Sequence, residues 1–93
     1  LSVGGIAVDG ITNTNESVID SEQIIIANSS KVVVLADHSK LGRHAMCQVA
    51  ALGDIDLLIT DEHPDSAATV ADLRQTGLAV MTVEVSRNEG EAR

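Results

Sequence analysis

The stretch Lys31-Val32-Val33-Val34-Leu35-Ala36-Asp37-His38-Ser39-Lys40-Leu41-Gly42-Arg43 decides the fold. Its aliphatic run does not alternate with polar residues, the pattern of a strand buried on both faces, and it ends at a carboxylate, a hydroxyl, an ammonium and a guanidinium. The strand therefore delivers polar groups to one edge of a sheet. Two of the chain's six basic residues, Lys40 and Arg43, stand here, where the next helix is expected to begin. Unpaired N–H groups and the positive end of a helix dipole make such a place suitable for phosphate or carboxylate. Arg43 adds a bidentate contact if it lies on the same side. The plain structural alternative is that Asp37 or Ser39 caps a helix and Lys40 is solvated.

Outward from that stretch, strands and helices alternate. Asp56–Thr60 is a second buried strand, ending at Asp61-Glu62, and Leu78–Val85 a closing one. Leu1–Ile6 reads as an opening strand, followed by a polar loop over Val8–Glu16 that is rich in turn formers. Asn15 or Ser17 can cap a helix over Val18–Ser29, with a strand at Ile24–Ile26 as the competing reading. After Asp37, the spacing of Leu41, Ala45, Val49 and Leu52 predicts a second helix, stopped by Gly53. Pro64-Asp65-Ser66 opens a third, with Ala67, Val70, Ala71 and Leu73 on its face and Gly77 at its end. The expected fold is α/β: a parallel sheet with flanking helices, covered on both faces, over residues 1–85. Ser86–Arg93 reads as a frayed tail.

Composition narrows the function. The net charge of −8 disfavours a chain that grips nucleic acid or an anionic membrane surface by itself. No apolar run reaches the roughly 20 residues of a spanning helix. With no Phe, Tyr or Trp among its 93 residues, the core must be built from small aliphatic side chains and is expected to be thin. One cysteine, Cys47, excludes an internal disulfide, and the expectation is a reducing, cytoplasmic setting. The chain opens on Leu1 rather than Met, with a strand already starting, so part of a larger protein is expected.

Asp37-His38-Ser39-Lys40-Leu41-Gly42-Arg43 behind Val32–Ala36, together with Asp54-Ile55-Asp56-Leu57-Leu58-Ile59-Thr60-Asp61, resembles the C-terminal sensor domain of DeoR-family bacterial transcriptional repressors. Gly4-Gly5-Ile6 and Gly10-Ile11-Thr12-Asn13-Thr14 are similar to that family's Gly-rich strand end and its Gly-Leu-Thr loop, and the likeness covers nearly all of residues 1–85. It implies a fold similar to ribose-5-phosphate isomerase, here incomplete, holding only the second half of the sensor. It also implies a phosphorylated sugar as effector, self-association as dimer or tetramer, and contact with operator DNA only through an N-terminal winged helix-turn-helix that this chain lacks. On this resemblance Lys40 is the foremost effector contact. Asp37 and Ser39 shape its loop, and Thr12, Asn13 and Thr14 line the neighbouring rim, although these three also suit a plain surface turn. The role of His38 stays open, and Asp61 either faces the same crevice or caps the next segment.

Two other chemistries compete with this one. Likeness to the isomerase places Glu22 where a carboxylate base would stand, but the acidic partners and lysine of that active site have no counterparts around Val3–Asp9 and Gly10–Thr12, so no enzyme activity is expected. His38, His44, Cys47, Asp61, Glu62 and His63 could each ligate a metal. His44 and Cys47 would share a helix face, but no paired ligand spacing appears, and neither metal nor cofactor is expected.

Overall fold

A computed structural model describes residues 1, 3–14 and 16–85, those at 16–18 by backbone alone. In chain order its elements are β1 (Gly5–Ala7), β2 (Gly10–Asn13), α1 (Glu16–Asn28), β3 (Val33–Leu35), β4 (Cys47–Ala50), β5 (Leu57–Asp61), α2 (Ala67–Gln75) and β6 (Ala79–Val83). Single 3₁₀ turns stand at His38–Lys40, Leu52–Asp54 and Pro64–Ser66. The expected caps Asn15 and Ser17 and the tail Ser86–Arg93 fall outside the described residues or side chains.

The parallel sheet has the order β3-β5-β6, with Leu35 level with Ile59 and Ile59 level with Met81. Strand alternation puts Val34, Leu58 and Thr60 on one face, where Val34 and Leu58 are fully buried and Thr60 is 2% exposed. That inner face meets Leu73 of α2, and one apolar cluster continues through Ile6 and Ile11 of the β1–β2 hairpin to Ile19 of α1. The opposite face carries Leu35, Met81 and Val83, exposed by 55%, 49% and 41%. Among the described residues nothing covers it, so the expectation of a sheet closed on both faces holds for the inner face alone.

Two other expectations are corrected, and one open alternative is decided for the helix. Val8–Glu16 is not one polar loop: Gly10–Asn13 is β2, paired antiparallel with β1, and Ile11 and Thr12 are buried. No helix follows Lys40. Gly42 takes a φ of +78°, a left-handed conformation that interrupts a helix, and Cys47–Ala50 pairs antiparallel with β2 to complete a second sheet, β1-β2-β4. The helical spacing of Leu41, Ala45 and Val49 lost to the hydrogen bonds that β2's free edge offers, a tertiary gain that outweighs weak local preference. Ile24–Ile26 lies within α1 rather than in a strand, with Ile24 and Ile25 exposed and Ile26 half-buried.

Candidate functional site

β3 ends at Leu35, and two residues later the chain tightens into the turn His38–Lys40. Asp37 makes the turn. Its backbone is extended, its carboxylate accepts from the Ser39 N–H at 2.8 Å, and the Ser39 hydroxyl donates to the same oxygen, Oδ1. The Asp37 carboxyl is held below its ordinary value by the Ser39 hydroxyl first and the Ser39 N–H second; slight burial opposes this, and the charges of Lys40 and His38 add to it.

A second carboxylate clamps the turn from β5. Asp61 Oδ1 accepts from the His38 backbone N–H at 2.7 Å, and Asp61 Oδ2 pairs with His38 Nδ1 at 2.7 Å. Burial is the largest influence on the Asp61 carboxyl and raises it. The hydrogen bonds and charge of His38 together outweigh burial, and the net direction is downward. The His38 ring stacks on His63, centroids 3.8 Å apart and 4° from coplanar. His63 opens the turn before α2, where its Nδ1 accepts from the Asp65 N–H at 3.0 Å. The end of β3, the end of β5 and the start of α2 are thus joined through one imidazole stack.

Beyond the turn the chain is sewn to the hairpin. Gly42 N–H donates to the Ile6 carbonyl at 2.7 Å, and a Cβ on Gly5 would stand 2.1 Å from the Arg43 carbonyl oxygen, so only glycine allows this approach. Ala45 N–H donates to Thr12 Oγ1 at 2.8 Å.

The seven residues singled out from sequence separate on this geometry. Asp37, Ser39 and Lys40 form one turn, with Lys40 half-buried and its ammonium in no hydrogen bond or ion pair among the described residues. Arg43 is exposed three residues further on. Thr12 is buried, and its hydroxyl braces the approach to β4. Asn13 Oδ1 accepts from the Thr14 N–H at 2.9 Å, and its Nδ2 donates to Glu22 Oε1 at 3.3 Å; Thr14 is exposed. Glu22 itself is 6% exposed.

Two clefts flank the Asp61 end of β5. One is lined by Leu35, Ala36, Asp37, His38, Ile59, Thr60, Asp61, Val83 and Val85, the other by Asp61, Glu62, His63, Ser66, Ala67, Val70, Arg74 and Thr82. Lys40, Arg43 and Thr12–Thr14 lie outside both. The His38–Asp61–His63 cluster is what sequence reading missed, although a signal was present. With Leu35 level with Ile59, Asp37 and Asp61 are each two residues further on, so neighbouring parallel strands must bring them together. Of the possible metal ligands, His44 pairs with Asp9 at 3.0 Å and Cys47 is half-buried. Among the described residues no group of three or more His, Cys, Asp or Glu side chains is arranged to hold a metal ion.

In open α/β sheets ligands collect at the carboxyl ends of the parallel strands, which is where this polar turn stands. The comparisons define the domain further. The family model described as "DeoR C terminal sensor domain" matches residues 1–62. The chain is 43% identical over 67 residues to the HTH-type transcriptional repressor GlcR of Bacillus subtilis (strain 168), covering 72% of this chain and 26% of that protein. It is 38% identical over 72 residues to the HTH-type transcriptional regulator GlpR of Haloferax volcanii, covering 77% and 28%. Against the Glycerol-3-phosphate regulon repressor of Escherichia coli (strain K12) it is 34% identical over 65 residues, covering 69% and 26%. The chain belongs to the DeoR-family repressor sensor domains, and it spans about a quarter of the length of these relatives. Among the described residues no helix is long and apolar enough to cross a membrane.

Proposed function

We propose that this chain is the effector-binding part of a DeoR-family transcriptional repressor and takes a phosphorylated sugar or polyol at the carboxyl ends of its parallel strands. One observation carries the reading: in a chain of net charge −8, Lys40 sits half-buried, without a partner among the described residues, on a turn whose shape Asp37 and Ser39 fix. Lys40 meets the phosphate, Asp37 and Ser39 shape the turn that presents it, and Arg43 reaches it from the rim. Asn13 and Thr14 border the site from the end of β2, and Thr12 holds that border in place. The name of the Escherichia coli relative, a glycerol-3-phosphate regulon repressor, supports a small phosphorylated polyol as the ligand class.

Control of DNA follows if the effector binds differently to the DNA-competent and released states, since equal affinity for both would shift nothing. Operator contact belongs to a winged helix-turn-helix elsewhere in the intact protein, and self-association to dimer or tetramer sets its geometry in the cytoplasm. Catalysis is not part of this reading. Glu22, the one candidate base, is buried and bonded to Asn13, and the named relatives are regulators.

The test is titration of the intact protein with a panel of phosphosugars and phosphopolyols, with Lys40→Ala alongside. Loss of a charge-assisted contact should weaken binding about tenfold or more. Unchanged affinity would remove Lys40 from the site. Turnover of any panel member that disappears in Glu22→Gln would overturn the non-catalytic reading.

A further inference from the structure

The cleft at the ends of β3, β5 and β6 measures about 460 Å3, and neither Lys nor Arg lines it. Its polar residues are Asp37, His38, Thr60 and Asp61, above an apolar floor of Leu35, Ile59, Val83 and Val85. Both Asp61 oxygens are taken by His38, one by the backbone N–H and one by Nδ1. That arrangement puts the neutral ring's proton on Nδ1 and leaves a lone pair on Nε2. Stacking on His63 fixes the ring's plane. On Asp37, Oδ1 takes both Ser39 donors, and Oδ2 has no partner among the described residues. The rim therefore offers two acceptors, Nε2 and Oδ2, and the one hydroxyl of the lining, Thr60 Oγ1, is buried.

The surrounding charge is unfavourable to phosphate. Beside His38 stand Asp37 and Lys40 on its own turn, Asp61 and Glu62 at the end of β5, and His63 and Asp65 at the start of α2, with Arg74 of α2 in the adjoining cleft. Four carboxylates stand against one ammonium and one guanidinium, and the cleft itself is lined by carboxylates without either cation. A ligand that brings O–H donors is matched; one that brings a dianion is repelled.

We propose that this rim is a hydroxyl subsite, in which His38 Nε2 and Asp37 accept hydrogen bonds from the O–H groups of a polyol while the phosphate lies on the Lys40 side of the turn. It is a subsite of the phosphorylated effector proposed above and presupposes that reading. His38 is then a contact residue for the sugar end, positioned by Asp61 and His63.

The experiment is calorimetric titration of the intact protein with glycerol 3-phosphate, glucose 6-phosphate and fructose 1-phosphate, each against inorganic phosphate, which reports the phosphate contact alone. His38→Asn keeps an amide donor toward Asp61 and removes the outer ring nitrogen. It should weaken the best phosphopolyol about tenfold and leave inorganic phosphate within about twofold. In the unaltered protein, the His38 Nε2 resonance should move with the phosphopolyol and not with inorganic phosphate, a readout that does not depend on the variant folding. Equal loss of both ligands, or no loss of either, overturns the subsite. If Lys40→Ala leaves phosphate binding intact while His38→Asn keeps its selective effect, the Lys40 assignment fails and the subsite stands. Binding of no panel member overturns both.

Discussion

The two faces of the parallel sheet are built from the same aliphatic residues and end in opposite states. Val34 and Leu58 on the inner face are fully buried, while Leu35 and Met81, one residue away along each neighbouring strand, are about half exposed. Composition cannot explain the difference, since Leu and Val or Met occupy both sides. What differs is the cover: α2 and the β1–β2 hairpin close the inner face, and among the described residues nothing closes the outer one. The apolar core of this chain therefore lies on the inner side of the parallel sheet, shared with the β1-β2-β4 sheet and the two helices. The polar turn at Asp37–Lys40 sits at the border, with Asp61 reaching from the same strand that carries Leu58.

The strongest way to break the comparison is to empty the inner face. Leu58→Ala should cost about 2–5 kcal/mol, a large share of what a domain with so thin a core possesses, and urea unfolding measures it. Asp61→Ala comes next. It leaves the His38 N–H and ring without their acceptor and should cost about 1–3 kcal/mol, seen as a lower urea midpoint at unchanged slope.

Acid gives an intermediate effect with a fixed sign. Asp37 and Asp61 both have folded-state values below the ordinary carboxyl value of 3.8. Groups depressed on folding lend stability that is complete above their unfolded value and is lost as pH falls through the folded one. Their contribution should be flat near neutrality and decline only below about pH 4, and Asp61→Asn should shrink that acid limb in a pH series of thermal melts.

Thr60 sharpens the contrast from within the inner face. Its Oγ1 is buried without a hydrogen-bond partner. Thr60→Val keeps the shape, removes the unsatisfied hydroxyl and should raise stability by up to about 1 kcal/mol. On the outer face, Met81→Ser should stay within about 0.5 kcal/mol. A cost near that of Leu58→Ala, growing with protein concentration, would mean that a second copy covers this face in solution.

Much of the architecture was legible from local pattern. The runs at Val32–Ala36 and Asp56–Thr60 announced adjacent parallel strands because their aliphatic content leaves no other low-cost placement, and Pro64 announced the start of α2, although the Ser66 hydroxyl donates to the His63 carbonyl instead of capping the helix. The helix expected after Asp37 was not there to be read. Leu41, Ala45 and Val49 carry a helical spacing by coincidence, and the hydrogen bonds that make β4 a strand come from β2, more than thirty residues away. In the site, Asp37 and Ser39 could be read as a turn because their bonds are local. The clamp by Asp61 and the stack on His63 could not, because each spans more than twenty residues.

Sequence by itself determined the family, the apolar strands and the motif Asp37-His38-Ser39-Lys40, since these depend on residue type and neighbours a few positions apart. Only the tertiary structure decided which sheet face is closed, that Thr12 braces β4, and that His38 is held by Asp61 with one ring nitrogen left over. The reason is distance along the chain: hydrogen bonds and contacts between remote segments are selected by how whole elements pack, and no local pattern records that choice.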